Sequence, residues 1–295
     1  MAGRVSPEPV TLRTGGWDDY ALVDSGGGRK LERYGRLLVD RPEPQCWWTR
    51  RRPDLWVKAD AVFEPSDEDE AGNWRWPGKK PPESWPLRWE QARWHAKLTA
   101  FRHLAFFPEQ AANWRWLQQR LAARPGAKVL NLFGYTGVAS LVCAAAGAQV
   151  THVDASKKSV EQARENAELS GRSDVRWIVE DARKFVAREV RRGNRYDGII
   201  LDPPKFGRGP TGEVWRLFEH LPLLAADCAA LLSDQADFLL LNAYAARISG
   251  LSLAHLLDEA VRPGGRVEWG ELALVEDGAD GREIGLSFFA RWTAS

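Results

Sequence analysis

After about residue 100 the sequence alternates regularly between short apolar runs, typical of buried strands, and longer amphipathic segments, typical of helices. Parallel strands need crossover connections that hold a helix, and a parallel sheet is covered on both faces. The alternation therefore predicts a doubly wound, mostly parallel α/β sheet. A last pair of strand-like segments, residues 266–275 and 283–292, is joined by an Asp/Gly-rich turn and predicts an antiparallel addition at the edge.

The boundaries of these elements follow from apolar periodicity and capping residues. Ser156 precedes one helix and Gly171 follows it, as the capping preferences require. The predicted parallel strands are residues 128–133, 149–153, 175–179, 196–201 and 238–241. The predicted helices are residues 108–124, 138–146, 157–169, 182–192, 214–232 and 252–261.

The first hundred residues differ, because they are rich in Trp, Pro and Gly and contain only short apolar runs. Residues 64–86 are acidic, then basic, with many prolines, which predicts a surface loop. Strands are predicted at residues 20–24, 30–34, 37–40, 47–48, 55–57, 59–63, 87–89 and 93–98. We therefore expect a β-rich region over residues 1–98, with a possible role in substrate recognition, and an α/β domain over residues 99–295.

Composition excludes several classes of protein. Hydrophobic residues make up 44% and charged residues 27%, which is a globular and not a disordered balance. The formal net charge of +1 does not by itself demand a polyanionic partner. The chain has no run of 18 apolar residues, no signal-peptide pattern at its start, and three scattered cysteines that form neither a disulfide framework nor a zinc site. We expect a cytoplasmic protein without a membrane segment or a bound metal.

Ligands of open α/β sheets bind beyond the carboxyl ends of the strands, so the residues that follow each predicted strand are the candidate site. Those expected beside a cofactor are Asn131, Phe133, Gly134, Tyr135, Thr136, Gly137, Asp154, Ala155, Ser156, Asp181, Ala182 and Asp202. Those expected beside the substrate are Asp202, Pro203, Pro204, Lys205 and Asn242.

The residue types favour a nucleoside that carries a sulfonium. Gly134 and Gly137 permit a tight turn close to a ligand. Asp154 can accept both ribose hydroxyls, and Asp181 can accept an adenine amine. The alternative for Asp181 is that it is only a helix cap. Aromatic faces such as Phe133 suit a cation.

A dinucleotide site is the main alternative, because Asp154 follows Gly134 by about 20 residues, the spacing of an NAD site. The string NLFGYTG is not G-x-G-x-x-G, however, and a dinucleotide site requires neither Asp181 nor the string DPPKF. The combination of strings therefore favours the nucleoside sulfonium.

The string Asp202-Pro-Pro-Lys-Phe predicts a rigid turn after a buried strand, because two prolines cannot continue a ladder. Such a turn aims the Asp202 carboxylate and nearby carbonyl oxygens at the pocket, where they can hold or deprotonate an attacking amine or ring nitrogen. The glycine-rich residues 206–213, which include Arg208, predict a mobile loop that could contact substrate.

Together the strings NLFGYTG, HVDAS, EDA and DPPKF resemble the ribosomal large-subunit RNA methyltransferase family, which includes cytosine-C5 and guanine-N7 enzymes. The resemblance covers about residues 90–292, including FFPEQAANW at Phe106–Trp114. It implies the seven-stranded class I methyltransferase sheet, S-adenosylmethionine as cofactor and ribosomal RNA as partner. It also implies cofactor contacts by the strand-end residues named above, with Gln110 near the methionine end of the cofactor.

One departure concerns the chemistry. The cytosine-C5 members attack the pyrimidine with a Cys after the fifth strand, and here that place holds Asn242. Cys143 and Cys228 lie in apolar helices and are predicted to be core. We therefore expect methylation of a base nitrogen. A covalent cytosine-C5 enzyme, a methyltransferase of small molecules or proteins, and a non-catalytic relative remain alternatives.

The other departure is the first region, which does not resemble the RNA-binding module of some relatives. Its Arg50–Arg52 run lies near Trp47, Trp48 and Trp56. These residues could bind phosphates and stack on unpaired bases, or they could form a small β core with a solvated face. The sequence leaves both possibilities open.

Overall fold

The computed structural model describes residues 4–66, 71–244, 247–261 and 264–295. The strands are β1 (Val10–Thr14), β2 (Tyr20–Gly26), β3 (Arg29–Tyr34), β4 (Leu37–Pro42), β5 (Ala61–Pro65), β6 (Gly72–Arg75), β7 (Ser84–Trp89), β8 (Ala92–Lys97), β9 (Lys128–Leu132), β10 (Gln149–Asp154), β11 (Arg176–Val179), β12 (Gly198–Leu201), β13 (Phe206–Arg208), β14 (Val214–Arg216), β15 (Phe238–Tyr244), β16 (Arg266–Val275) and β17 (Glu283–Thr293). The helices are α1 (Pro53–Trp56), α2 (Ala111–Ala122), α3 (Val138–Ala145), α4 (Lys157–Leu169), α5 (Ala182–Arg192), α6 (Leu217–Ala230) and α7 (Gly250–Ala260), and a 3₁₀ turn at Pro108–Gln110 precedes α2. Within the described ranges, no helix is long and apolar enough to cross a membrane.

The chain divides into two compact units. The first comprises Met1–Leu12, Ala112–Leu272 and Leu286–Ser295, and the second comprises Arg13–Ala111 and Ala273–Gly285. The second unit is therefore built from two separate stretches of chain. The domain boundary that we expect between residues 98 and 99 stays a prediction.

The central sheet has the order β1-β16-β17-β15-β12-β9-β10-β11. Its strands from β15 to β11 are parallel, and β17 runs antiparallel to β15. The doubly wound, mostly parallel α/β fold is thus confirmed, and β1 adds an eighth strand to the seven that the resemblance implies. From β9 the chain moves outward through β10 to β11, and from β12 it moves the other way. The carboxyl ends of β9 and β12 therefore flank the switch point where such sheets bind ligands.

Both faces of this sheet are covered, as the continuous apolar strands predict. On one face Leu130 and Leu132 belong to a cluster with Phe185 of α5 and Leu253 of α7. On the other face the next residue along β9, Val129, belongs to a cluster with side chains of α2 and α3. This two-sided core fixes the strand ends and so the loops that follow them.

The bounds of α4 and α5 coincide with the predicted helices, because side-chain caps fix their first residues. One predicted helix begins too early. We expect it to start at residue 214, but Val214–Arg216 is a strand that pairs antiparallel with Phe206–Arg208. The expectation of a mobile loop over residues 206–213 is therefore corrected to a β-hairpin. Val214 and Trp215 are of residue types that favour strands, and pairing with residues 206–208 stabilises this conformation.

The second unit contains the sheet β2-β3-β4-β5-β6 and the hairpin β7–β8, so the expected β-rich character is confirmed. Three local expectations are wrong. Residues 47–48 are not a strand, residues 55–57 are not a strand because Pro53 begins α1 at Pro53–Trp56, and the expected loop over 64–86 contains β6 and the start of β7. Proline at the first helical position favours a helix over a strand.

Candidate functional site

The loop after β9 holds two residues other than glycine in the left-handed region, Phe133 with φ 56° and Tyr135 with φ 49°. Each such residue costs about 1–3 kcal/mol and persists only where neighbouring contacts impose it. Here the Tyr135 amide donates to Asp154 Oδ2 at 2.9 Å, and Asn166 Nδ2 donates to the Thr136 carbonyl at 2.9 Å. The loop is therefore held in a preset, strained shape, as is common where a ligand binds.

A buried polar network supports this loop from the core side. A Cβ on Gly134 would lie 2.4 Å from Cε1 of the His152 ring, so only glycine fits there. His152 Nδ1 lies 3.0 Å from Ser140 Oγ, which accepts from Asn131 Nδ2 at 2.9 Å. Burial lowers the pKa of His152 to about 3, so the ring is neutral. The structure thus places Asn131 in the core beneath the loop.

The contribution of His152 and Ser140 is missing from the sequence prediction. The pairing of Asn131 with His152 across β9 and β10 brings the network together. A single sequence does not reveal that register, although a histidine within an apolar strand is a signal that a buried polar partner must exist.

Asp154 lies at the carboxyl end of β10 and is oriented by two backbone amides. Tyr135 N donates to Oδ2 at 2.9 Å, and Ser156 N donates to Oδ1 at 2.8 Å. Burial raises the pKa of the Asp154 carboxyl above its ordinary value, and these two hydrogen bonds oppose that rise. The half-buried carboxylate retains acceptor capacity on each oxygen, which suits a pair of ribose hydroxyls.

Asp181 lies at the same edge, because Asp154 is in register with Val179 of the neighbouring strand. It is the N-cap of α5: its Oδ1 accepts from the amides of Arg183 at 3.0 Å and Lys184 at 3.1 Å. The capping role is therefore real. Among the described residues, Oδ2 has one long contact, 3.4 Å from Arg183 Nη2, and keeps acceptor capacity for an amine.

The rigid turn after β12 begins with the half-buried Asp202 and the buried Pro203, whereas Pro204 and Lys205 are exposed. Trp215 Nε1 donates to the Pro204 carbonyl at 2.6 Å. That carbonyl, which we expect to face the substrate, is therefore already engaged by the hairpin. The Asp202 carboxylate is the stronger candidate acceptor in this turn, because an ionised carboxylate accepts stronger hydrogen bonds than a carbonyl.

The β13–β14 hairpin connects this turn to the loop after β9. The Trp215 side chain is buried, and its ring centroid lies 4.9 Å from that of Phe133. One aromatic contact thus joins the loop that carries Tyr135 to the turn that carries Asp202.

Asn242 lies inside β15 and is buried, and its Oδ1 accepts from Asn113 Nδ2 of α2 at 3.0 Å. The cysteines of this unit are also buried. Burial raises the pKa of Cys143 to about 12 and raises that of Cys228 as well, so both are neutral thiols. Gln110 belongs to the second unit, and its role toward a cofactor stays a prediction.

Comparisons with known proteins agree with this geometry. A family model for S-adenosylmethionine-dependent methyltransferases matches residues 63–259. A crystal structure of an S-adenosylmethionine-dependent methyltransferase from Agrobacterium tumefaciens is 48% identical, with a TM-score of 0.95, and the match covers 99% of this chain and 96% of that one.

Two curated relatives match over shorter stretches. The ribosomal RNA large subunit methyltransferase I of Aeromonas salmonicida is 36% identical over 104 residues, 34% of this chain and 26% of the relative. The ribosomal RNA large subunit methyltransferase K/L of Magnetococcus marinus is 36% identical over 118 residues, 39% of this chain and 16% of the relative. The chain thus spans only a small part of the length of these relatives.

The residues present fit an adenosine sulfonium. Two carboxylates, Asp154 and Asp181, keep acceptor capacity at adjacent strand ends, and the strained loop between β9 and α3 places Phe133 and Tyr135 half-exposed beside them. The smaller neighbours expected to line the cofactor lie at this same edge: Thr136, Gly137, Ala155, Ser156 and Ala182. Their individual contacts stay predictions.

Proposed function

Because the chain belongs to the S-adenosylmethionine-dependent methyltransferase family, we propose that it methylates a nucleobase nitrogen of ribosomal RNA. The RNA substrate is suggested by the names of the curated relatives, which are ribosomal RNA large subunit methyltransferases. The cytoplasmic location expected from the sequence is part of the same proposal.

The choice of nitrogen rests on two features of the described residues: the Asp202 carboxylate lies at a strand end, and the cysteine thiols are buried. Methylation of a pyrimidine carbon needs a thiolate nucleophile. In the described part of the first unit, the cysteine thiols are buried and neutral. Asp202 instead lies half-buried at the carboxyl end of β12, in a turn that two prolines make rigid.

The proposed roles follow from this placement. The cofactor, when bound, supplies a methyl group on a positively charged sulfur. Asp154 and Asp181 hold its adenosine part, and the loop at Phe133–Gly137 shapes the pocket. Asp202 accepts a hydrogen bond from the attacking base nitrogen, aligns it with the methyl group and takes up its proton as the new bond forms. The sequence also predicts that Lys205 and Asn242 lie near the base that accepts the methyl group.

Labelled methyl transfer to ribosomal RNA from cells that lack this protein tests the proposal, followed by mass spectrometry of the nucleosides. The wild type is expected to form one nitrogen-methylated base. Asp202→Asn is expected to lower the rate about 100-fold or more. Asp227→Asn, which alters an exposed carboxylate on α6, is the matched control and should retain full activity. A carbon-methylated base, or transfer to protein but not to RNA, would overturn the proposal.

A further inference from the structure

The β13–β14 hairpin has two unlike faces. Phe206 pairs with Arg216, Gly207 with Trp215, and Arg208 with Val214. Because side chains alternate along a strand, Trp215 lies on one face and the other four side chains lie on the opposite, outer face. The outer face therefore combines one aromatic ring, one aliphatic side chain and two guanidinium groups.

The inner face anchors the hairpin firmly. Trp215 is buried against Phe133 and donates to the Pro204 carbonyl. A second anchor comes from α5, where Arg183 Nη2 donates to the Val214 carbonyl at 3.0 Å and Lys184 pairs with Glu213. The outer face is thus presented on a fixed support.

The outer face exposes apolar side chains to solvent. The Phe206 side chain is 53% exposed and Val214 is 38% exposed. Within the described residues, the Arg208 guanidinium and the neighbouring Lys205 ammonium make no hydrogen bond or ion pair, and Arg216 pairs only with the exposed Glu219 at 3.2 Å. An exposed ring flanked by unneutralised cations matches the bases and phosphates of a single-stranded nucleic acid.

The position of this face relates it to the reaction. Phe206 is four residues beyond Asp202, so at most about 14 Å of chain separates them. An enzyme that modifies a base acts on a single strand or takes the base out of its stack. On a single strand, the nucleotides that flank the target base are unpaired and lie close enough to Asp202 to contact this face.

We propose that the outer face of the β13–β14 hairpin binds the single-stranded nucleotides that flank the target base. This inference rests on the proposed RNA substrate. A flanking base stacks on Phe206, and the backbone phosphates pair with Arg208 and Arg216. The hairpin thereby selects unpaired RNA, while its buried face contacts the loop that shapes the cofactor pocket.

The test measures the affinity of the full chain for a fluorescein-labelled, unstructured RNA oligonucleotide by fluorescence anisotropy. Phe206→Ala is expected to weaken binding about tenfold, because base stacking on an aromatic side chain has this order of effect. Arg208→Ala is expected to weaken binding and to reduce the slope of log affinity against log salt by about 0.7. Binding of S-adenosylmethionine, measured by calorimetry, should be unchanged in both variants.

Two matched controls isolate the face. Phe101→Ala removes an aromatic ring that is 49% exposed in the second unit, and Arg195→Ala removes an exposed guanidinium after α5. Both should bind RNA like the wild type. If the wild type methylates RNA while Phe206→Ala and Arg208→Ala bind like the wild type, the hairpin proposal is overturned and the proposed function stands. If the wild type neither binds nor methylates RNA, both fall together.

Discussion

Two regions of this protein offer arginines beside aromatic rings, and they use them differently. In residues 47–56, here the Trp/Arg segment, the Arg50 guanidinium lies 3.8 Å from the ring centroid of the buried Trp56. In the β13–β14 hairpin, the Arg208 guanidinium makes no such contact within the described residues and Phe206 is exposed. The first region uses its cations for its own structure, whereas in the second Arg208 makes no hydrogen bond or ion pair within the described residues and Arg216 pairs with the exposed Glu219.

The other arginines of the Trp/Arg segment also bond to groups of the protein itself. Arg51 donates to the Asp280 carbonyl at 2.5 Å and Arg52 to the Asp277 carbonyl at 2.6 Å. The backbone amides of both donate to the buried Asp24 carboxylate. Composition alone therefore does not identify a nucleic-acid surface, because most of these arginines bond to groups of the protein itself.

The largest effect is expected at Trp215, which anchors the hairpin. Trp215→Ala should lower the free energy of unfolding by about 3–5 kcal/mol, because it leaves a cavity in the core. It should also weaken binding of S-adenosylmethionine through the lost contact with Phe133. Phe206→Ala, on the exposed face of the same hairpin, should change stability by less than about 0.5 kcal/mol. Urea denaturation measures both, and equal losses would show that the two faces do not differ.

Asp24 plays the corresponding part in the Trp/Arg segment. Its carboxylate accepts from Trp56 Nε1 at 2.7 Å as well as from two backbone amides. Asp24→Ala should cost about 2–4 kcal/mol, because it leaves these donors without their acceptor. Arg208→Ala should leave the unfolding midpoint unchanged. A stable Asp24→Ala protein would contradict the structural role that we assign to this segment.

Acid should destabilise the buried network of Asn131, Ser140 and His152 that supports the loop after β9. It should not affect the hydrogen bonds of Arg51 and Arg52 to backbone carbonyls, because carbonyls do not titrate. The pKa of His152 is about 3 in the folded protein and near 6.5 when unfolded. The contribution of His152 to the free energy of unfolding is complete above pH 6.5. It falls by up to about 1.4 kcal/mol per pH unit as the pH drops from 6.5 toward 3. Urea denaturation at pH 7, 6 and 5 should show a shallower decline for His152→Gln. An unchanged decline would mean that His152 is not the titrating group.

The smallest effect should come from the ionic anchor of the hairpin. Glu213 accepts from Lys184 Nζ and Thr211 Oγ1, and these bonds lower the pKa of Glu213 to about 2. Glu213→Gln should raise the hydrogen-exchange rate of the hairpin amides severalfold without changing the unfolding midpoint. If those amides exchange as in the wild type, the contacts of Glu213 do not help to hold the hairpin.

The α/β part of the fold is predictable because its signals are local. Ser156 and Asp181 cap α4 and α5, and the predicted and observed bounds of both helices coincide. The strand-end rule likewise locates Asp154, Asp181 and Asp202 at one edge of the sheet.

Features that depend on distant pairing are not predictable in this way. The hairpin consists of two three-residue strands, too short to show alternation, and its turn contains the Gly and Pro of an ordinary loop. The network of Asn131 and His152 needs the register of β9 and β10. Residues 55–57 resemble a strand, but the segment that holds them is fixed by Asp24, which lies far away in the sequence.

The second unit cannot be completed early in synthesis, because it includes Ala273–Gly285. Its Ser25 donates to Glu276 across 251 positions, and Arg282 donates to the Thr49 carbonyl across 233. Residues 13–111 leave the ribosome early, yet these contacts cannot form until the last hairpin has been translated. Residues 13–111 are synthesised before residues 273–285, so the second unit stays incomplete while the residues between these two stretches are synthesised.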